Sequence, residues 1–252
     1  MSDSPSTAAI LVIGNEILSG RTQDANTRAI AKKLGAVGVR LREVRVVADI
    51  ERDIIEALDA LRRKFDYVFT TGGIGPTHDD ITAETVAKAF GVPLIEHPEA
   101  RNSLMDYYTA EGLTDARLRM ARVPQGASLI LNPISAAPGF HIDNVFVMAG
   151  VPAVMQAMMD QVAAQLRHGP AFLSIAVSGH VKESQIAAEL RKLAEHYPQL
   201  DLGSYPWFKN ERFGVSLVAR GTDHAGVEAA ARDIFALLER HGGEPVGETH
   251  GE

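Results

Sequence analysis

The sequence predicts an α/β protein: a three-layer αβα domain around a mainly parallel sheet, followed by a second, small α+β domain. Three observations carry this. Short apolar, β-branched segments alternate with stretches of helical apolar spacing up to Gly169, the pattern of a doubly wound sheet. At Pro170 the order changes to strand, helix, strand, strand, helix. A Gly-rich turn, Thr71-Gly72-Gly73-Ile74-Gly75-Pro76-Thr77, joins a buried-strand pattern to a helix, where such sheets bind ligands.

Ala8 to Ile13 is apolar and reads as the first strand, and Gly14 to Arg21 follows as a polar loop. Asn26 to Leu34 places Ala29, Ile30 and Leu34 at helical spacing, and Gly35 and Gly38 end that helix. Val39 to Val47 alternates apolar and charged residues, which predicts a strand near a sheet edge. Ile50 to Arg63 is a helix with Ile54, Leu58 and Leu61 on one face. Tyr67 to Thr70 is apolar and aromatic, a buried strand. The Gly-rich turn then leads through His78-Asp79-Asp80 into a helix carrying Ile81, Val86 and Phe90.

Val92 to Gln125 is less regular. A helix is expected from His97-Pro98-Glu99 through Tyr108, and Ala116 to Arg122 sets Arg117, Arg119 and Arg122 among apolar residues. Those arginines read first as a solvated face and second as reaching an anionic ligand. Asn132 to Phe140, with two prolines and a glycine, is a rigid turn. Asn144 to Ala149 is a strand, and Gly150-Val151-Pro152 turns into a helix, Ala153 to Leu166. Arg167 to Pro170 is the expected boundary between domains 1–169 and 170–252. Beyond it come strand Ala171–Val177, helix Glu183–Tyr197, strands Leu200–Tyr205 and Phe213–Ala219, and helix Asp223–Arg240. The first seven and last ten or so residues are polar and are expected to fray.

Composition narrows the function classes. The chain has 252 residues, enough for a sizeable core and one or two domains. At 46% hydrophobic and 23% charged it is an ordinary globular sequence. A net charge of −7 argues against nucleic acid or an anionic membrane as partner. The absence of cysteine excludes disulfides, thiolate metal sites and a cysteine nucleophile. MSDSPSTAA carries no signal-peptide pattern, and no apolar run reaches the length of a membrane span. A cytoplasmic location is expected.

The Gly-rich turn is a candidate anion site. Glycines let backbone approach a ligand, and the free N–H groups of the following helix point at negative charge. A side chain on Gly73 is expected to block that approach. Asp79 and Asp80 beside the turn would repel a phosphate, and a divalent cation between them removes the conflict. Parallel-sheet topology gathers three loops on one edge: Gly14–Arg21, Ala48-Asp49 and Thr71–Asp80. Each brings a carboxylate, so Glu16, Asp49, Asp79 and Asp80 are the candidate metal ligands, with Asp80, Asp49 and Glu16 the candidate catalytic residues. Helix capping is the competing reading for Asp49 and for the aspartates before the third helix, and plain exposure is the one for Glu16. Arg21 is the candidate phosphate fork. Neither Gly-x-x-x-x-Gly-Lys-Ser/Thr nor Gly-x-Gly-x-x-Gly is met, there is no Gly-x-Ser-x-Gly, and the nine histidines show no H-E-x-x-H spacing.

Thr71 to Thr82, TGGIGPTHDDIT, resembles the TGG-x-GPT-x-DD-x-T signature of the molybdopterin-binding fold. That fold occurs in molybdenum-cofactor biosynthesis proteins of the MogA and MoaB type, and forms the N-terminal domain of the competence/damage-inducible CinA family and of eukaryotic FAD synthases. Gly14 to Arg21 with Asp24 and Asn26 resembles the family's GxELLxGxxxDxNxxxL segment, and Asp49 matches the acidic position after the second strand. Ala137-Pro138-Gly139-Phe140 and Gly150 to Met155 resemble the APGF and PGVPxEM segments of the CinA-like branch. Two departures stand out. The usual glycine before APGF is Ser135 or Ala136, and the usual Pro-Gly and acidic residue of the second segment appear as Ala149-Gly150 and Ala153-Val154, so no role is carried to that acidic position.

The resemblance implies a ligand site of Asn15, Ser19, Gly20, Arg21, Asn26, Thr71, Gly72, Gly73, Gly75, Pro76, Thr77, Ala137, Pro138 and Gly139. It implies a divalent metal (Mg, Mn or Co), a small nucleotide or pterin ligand, and a homo-oligomer. The first functional expectation is metal-dependent hydrolysis of ADP-ribose or FAD-like dinucleotides. The alternative is molybdopterin binding without hydrolysis, and a vestigial regulatory module is a third. The second domain and its Gly203-Ser204-Tyr205-Pro206 motif favour the first, because small MogA-type proteins lack that domain. The amidohydrolase-type domain of two-part CinA proteins is missing from this sequence, so nicotinamide-nucleotide deamidation is expected to be missing too.

Overall fold

The computed structural model describes residues 5–209 and 211–251. Its contacts divide the chain into two compact units: residues up to Leu34 with Val39–Gly169, and Gly35–Gly38 with Pro170 onward. Among the described residues no helix is long and apolar enough to cross a membrane.

The first unit begins with β1 (Thr7–Ile13), α1 (Asn15–Leu18), α2 (Asn26–Ala36), β2 (Arg40–Val47), α3 (Glu51–Arg62), β3 (Tyr67–Thr71) and α4 (Thr82–Phe90). It continues with β4 (Leu94–Glu96), α5 (Pro98–Tyr107), α6 (Asp115–Leu118), a 3₁₀ turn at Arg119–Ala121, β5 (Arg122–Pro124), β6 (Ser128–Ile130), β7 (Gly139–Ile142), β8 (Val145–Met148) and α7 (Pro152–Ala163). The main sheet has the order β2-β1-β3-β8-β7-β6. The four strands from β2 to β8 are parallel, and β7 and β6 are antiparallel. β4 and β5 form a separate antiparallel pair.

Burial explains the strand sequences. Ala9, Leu11 and Ile13 of β1 pack with Ile54, Leu58 and Leu61 of α3 and Val86 of α4. The alternate residues Ala8, Ile10 and Val12 are buried as well. The second face is covered by α2 and α7, which Lys33 and Asp160 join at 2.6 Å. A strand covered on both faces reads as an unbroken apolar run, as β1 does. β2 lies at the sheet edge, but its burial runs against its alternation: Val44 and Val46 are exposed while the charged Glu43 and Arg45 are half-buried. Phe69 of β3 and Phe146 of β8 stack at 5.3 Å. Burial of each such side chain contributes about 2–3 kcal/mol.

The second unit contains β9 (Leu173–Gly179), α8 (Glu183–His196), β10 (Asp201–Lys209), β11 (Arg212–Gly221), α9 (His224–Arg240) and β12 (Val246–Gly251). Its sheet is wholly antiparallel in the order β10-β11-β9-β12. Val177, Leu217 and Ala219 pack against Ile186 of α8 and Ile234, Leu237 and Leu238 of α9. Asp223 caps α9 by accepting from the Gly226 amide at 3.1 Å.

Several expectations are corrected. The C-terminal segment does not fray: β12 pairs with β9, Val246 opposite Ser178 and Gly251 opposite Leu173. The ladder uses backbone groups, so the polar sequence VGETHG gives no warning of it. The first four residues, part of the expected frayed start, lie outside the described residues. Thr7 already belongs to β1, and its amide and hydroxyl both donate to Asp66 at 2.8 Å. The loop after β1 contains the short helix α1, and β4, β5 and β6 occupy stretches without a strand pattern.

Candidate functional site

The chain goes from β1 outward to β2 and then back across β1 to β3. This reversal opens a crevice beyond the carboxyl ends of β1 and β3. Gly14 N–H donates to Val47 O at 3.1 Å, which fixes the first two loops together. Gly72 leaves β3 at φ +103°, and a Cβ there would lie 2.1 Å from Ile13 O, so only glycine passes β1 so closely. Gly73 has φ +68°, and its Cβ would lie 2.1 Å from Thr82 Oγ1. A side chain at Gly73 therefore strikes Thr82, which corrects the expectation that it would act by blocking a ligand. Thr82 Oγ1 donates to Gly72 O at 3.0 Å and Thr82 N–H to Gly73 O at 2.9 Å. This threonine staples the loop to the start of α4. It is absent from the expected site, although it closes the Thr71–Thr82 pattern.

The carboxylates come from three loops. Asp49 Oδ2 accepts from the Asn15 amide at 2.8 Å. Burial pushes the Asp49 carboxyl above its usual range, the Asn15 N–H opposes this, and the charges of Glu16 and Asp79 push it further up. Asp49, Glu16 and Asp79 thus share one electrostatic field. Neither Asp49 nor Asp80 caps the helix after it: Ile50 and Ile81 occupy the N-cap positions, without side-chain caps. Asp80 Oδ2 instead accepts from Thr77 N–H at 2.8 Å. The Thr77 hydroxyl lies 2.5 Å from Asp80 Oδ2 and 2.7 Å from Asp79 Oδ1, and its single proton serves one of them at a time. That hydroxyl is the main reason the Asp79 carboxyl sits below the usual range.

Among the described residues no three His, Asp or Glu side chains are grouped closely enough to hold a metal ion by themselves. A magnesium-type ion keeps several waters and takes one or two carboxylates together with substrate phosphates. Asp49, Glu16 and Asp79 fit that lesser role. Asp80 fits it less well, because one of its oxygens is committed to Thr77.

The remaining expected residues divide. Asn15, Ser19, Gly20 and Arg21 are exposed around α1, and Pro76 and Thr77 are exposed on the loop. Gly73, Gly75, Asp80 and Pro138 line a cleft together with Arg119 and Arg122. Arg117 does not join them: it stacks on Tyr108 at 4.2 Å and donates to Gly112 O. Four expected ligand contacts are internal instead. Thr71 is 1% exposed within β3, and Gly72 is buried against Ile13. Asn26 is 6% exposed and donates to Gly150 O at 2.8 Å. Gly139 lies in β7, where a Cβ would be 2.3 Å from Val147 O. Ala137 is half-buried, and its carbonyl accepts from Asn132 Nδ2 at 2.9 Å. Ala136 has φ +59°, which identifies it, rather than Ser135, as the residue standing in a glycine-like conformation.

An open parallel sheet with a glycine turn and converging carboxylates at its strand reversal makes this an α/β protein whose candidate site lies at that reversal. The family model described as "Probable molybdopterin binding domain" matches residues 9–168, and "FAD synthase, middle domain" matches 171–244. The chain belongs to the molybdopterin-binding-domain family, in its CinA-like form. It is 35% identical to a CinA-like protein of Geobacter metallireducens, over 96% of this chain and 62% of that one. It is 32% identical to a probable FAD synthase of Caenorhabditis elegans, over 93% of this chain and 50% of that one. The crystal structure of CinA from Thermoplasma acidophilum, titled as of unknown function, superposes with a TM-score of 0.61 at 33% identity, covering 65% of this chain and 99% of that chain.

Proposed function

We propose that this chain is a nucleotide pyrophosphatase-type hydrolase that splits ADP-ribose or an FAD-like dinucleotide at its diphosphate. The observation that carries the reading is the convergence of Asp49, Glu16 and Asp79 beside a glycine turn at the sheet's strand reversal. A match to the FAD synthase middle domain over 171–244 supports a nucleotide rather than a bare phosphate as ligand. The turn and the first amides of α4 bind one phosphoryl group, and Arg21 closes on it from the rim. Glu16 takes a proton from the attacking water, since among the described residues no hydrogen bond ties its carboxylate. Water oxygen joins one phosphorus as the bridging P–O bond breaks, and the second phosphate leaves with the electron pair. ADP-ribose then gives AMP and ribose phosphate, and FAD gives AMP and FMN. A divalent cation (Mg, Mn or Co), when bound, would screen the phosphates from the carboxylates and polarise the phosphoryl group.

The test is steady-state hydrolysis of both substrates by wild type, Glu16→Gln, Asp49→Asn and Asp80→Asn. Loss of one electrostatic group is expected to cost on the order of a hundredfold in rate. Asp49→Asn should exceed Asp80→Asn in effect, because Asp49 shares its field with Glu16 and Asp79. Variants within threefold of wild type would remove the carboxylates from the mechanism. A second reading, molybdopterin binding without hydrolysis, is favoured by the family match over 9–168. Tight pterin binding with no dinucleotide turnover would establish it. We also propose a homo-oligomer, which sedimentation of a monomer at high concentration would exclude.

A further inference from the structure

The cleft beside the glycine turn holds two arginines that form no ion pair among the described residues. Arg119 comes from the 3₁₀ turn and Arg122 from β5, and both line the cleft with Gly73, Gly75 and Asp80. The nearby acids already have partners. Glu84, also at the cleft, pairs with Lys88 at 3.1 Å, and Asp80 accepts from Thr77. Glu96 stands opposite Arg122 in the β4–β5 register, but its carboxylate is held by Arg101 at 2.6 Å. Among the described residues no hydrogen bond or ion pair engages the side chain of Arg119 or Arg122. On the same cleft, the amides of Ala83 and Glu84 in the first turn of α4 have no acceptor either, as expected of a helix start. Two exposed arginines without side-chain partners and the first turn of α4 thus line one cleft. An anion with two adjacent charged groups satisfies both sets at once, and guanidinium takes phosphate oxygens in pairs.

We infer that Arg119 and Arg122 form a diphosphate subsite, holding one phosphoryl group of a nucleoside diphosphate while the turn and the α4 amides hold the other. This rests on the reading of the Gly72–Gly75 turn as a phosphate cradle, but not on hydrolysis. It assigns the two arginines to binding, not to the solvated face suggested by their sequence.

Calorimetric titration with ADP and with inorganic pyrophosphate tests the subsite without turnover. The proteins are wild type, the double variant Arg119→Ala/Arg122→Ala, the double lysine variant, and Arg240→Ala, which pairs with Glu189 in the second unit, as a control. Both contacts are charge-assisted, so the alanine pair should weaken both ligands by about a hundredfold or more. The lysine pair should recover part of that loss, because it keeps charge but not the planar fork. Arg240→Ala should stay within about twofold of wild type. Equal losses for ADP and pyrophosphate support contact with the phosphates. Loss confined to ADP would overturn the assignment, since the arginines would then be reading the nucleoside. An unchanged alanine pair, or a wild type that binds neither probe, would overturn it too. The two proposals separate cleanly: binding lost in the double variant while wild type hydrolyses nothing keeps the subsite and removes the hydrolase. Unchanged KM for dinucleotide hydrolysis in the double variant does the reverse.

Discussion

Gly73 and Thr82 should be energetically coupled, and a double-mutant cycle can measure how strongly. A methyl at Gly73 meets two obstacles. The backbone is at φ +68°, where an alanine costs about 1–2 kcal/mol. The new Cβ would also lie 2.1 Å from Thr82 Oγ1, so the hydroxyl must rotate away and release Gly72 O. Thr82 is wholly buried, and an unsatisfied carbonyl there costs roughly 1–3 kcal/mol. Gly73→Ala should therefore destabilise the first unit by about 2–5 kcal/mol. Thr82→Ala loses the same hydrogen bond and should cost about 2–3 kcal/mol by the same reasoning, with a small packing loss. In the double variant that bond is lost only once and the steric obstacle is gone, so the total should fall short of the sum by about 1–2 kcal/mol. The single tryptophan, Trp207, lies in the second unit and reports that unit alone. The first unit is better followed by hydrogen exchange of the buried β1 and β3 amides in urea. Additivity within about 0.5 kcal/mol would refute the staple, and with it the account of why residue 73 is glycine.

Two further predictions concern the frame of the site. Ala136→Gly should stabilise the first unit by roughly 0.5–1 kcal/mol, since relief of the left-handed strain exceeds the added chain entropy; a neutral or destabilising result in denaturant titration contradicts this. Asp66→Ala should cost about 1 kcal/mol at neutral pH, a modest figure because the carboxylate is partly exposed. The Thr7 amide and then its hydroxyl hold the Asp66 carboxyl below its ordinary value of 3.8, so this stability is present above that value and lost as pH falls through the lowered one. The gap in melting temperature between wild type and variant should close on acidification, and a gap constant with pH would exclude Asp66 as its source.

The sequence is most legible where side-chain pattern and backbone role coincide. β1 is covered on both faces and reads as AAILVI, and the glycines of the third loop stand where β3 runs close to β1. β12 is hidden because an edge strand held by backbone pairing places little demand on its side chains. β4, β5 and β6 are three residues each, too short for a period to emerge. Within the site, the converging carboxylates follow from loop order alone. The internal duties of Asn26 and Gly139 do not, since a buried amide bonding Gly150 and a glycine under Val147 look in sequence like ligand contacts. In sequence, capping competes for Asp49, and two structural facts decide against it: Ile50 takes the N-cap position, and Asp49 accepts from the Asn15 amide of another loop at 2.8 Å.

The central claim is hydrolysis of a dinucleotide diphosphate, and one phosphorus NMR experiment addresses it. Wild-type protein is incubated with ADP-ribose or FAD in ¹⁸O-enriched water with Mg²⁺, Mn²⁺ or Co²⁺, quenched with excess EDTA, and compared with a sample given EDTA at the start. The account predicts loss of the diphosphate resonances, equal amounts of two phosphomonoesters, one ¹⁸O in one of them, and no reaction in the EDTA-first sample. Intact substrate under every metal, alongside tight binding of molybdopterin by the same preparation, would contradict it.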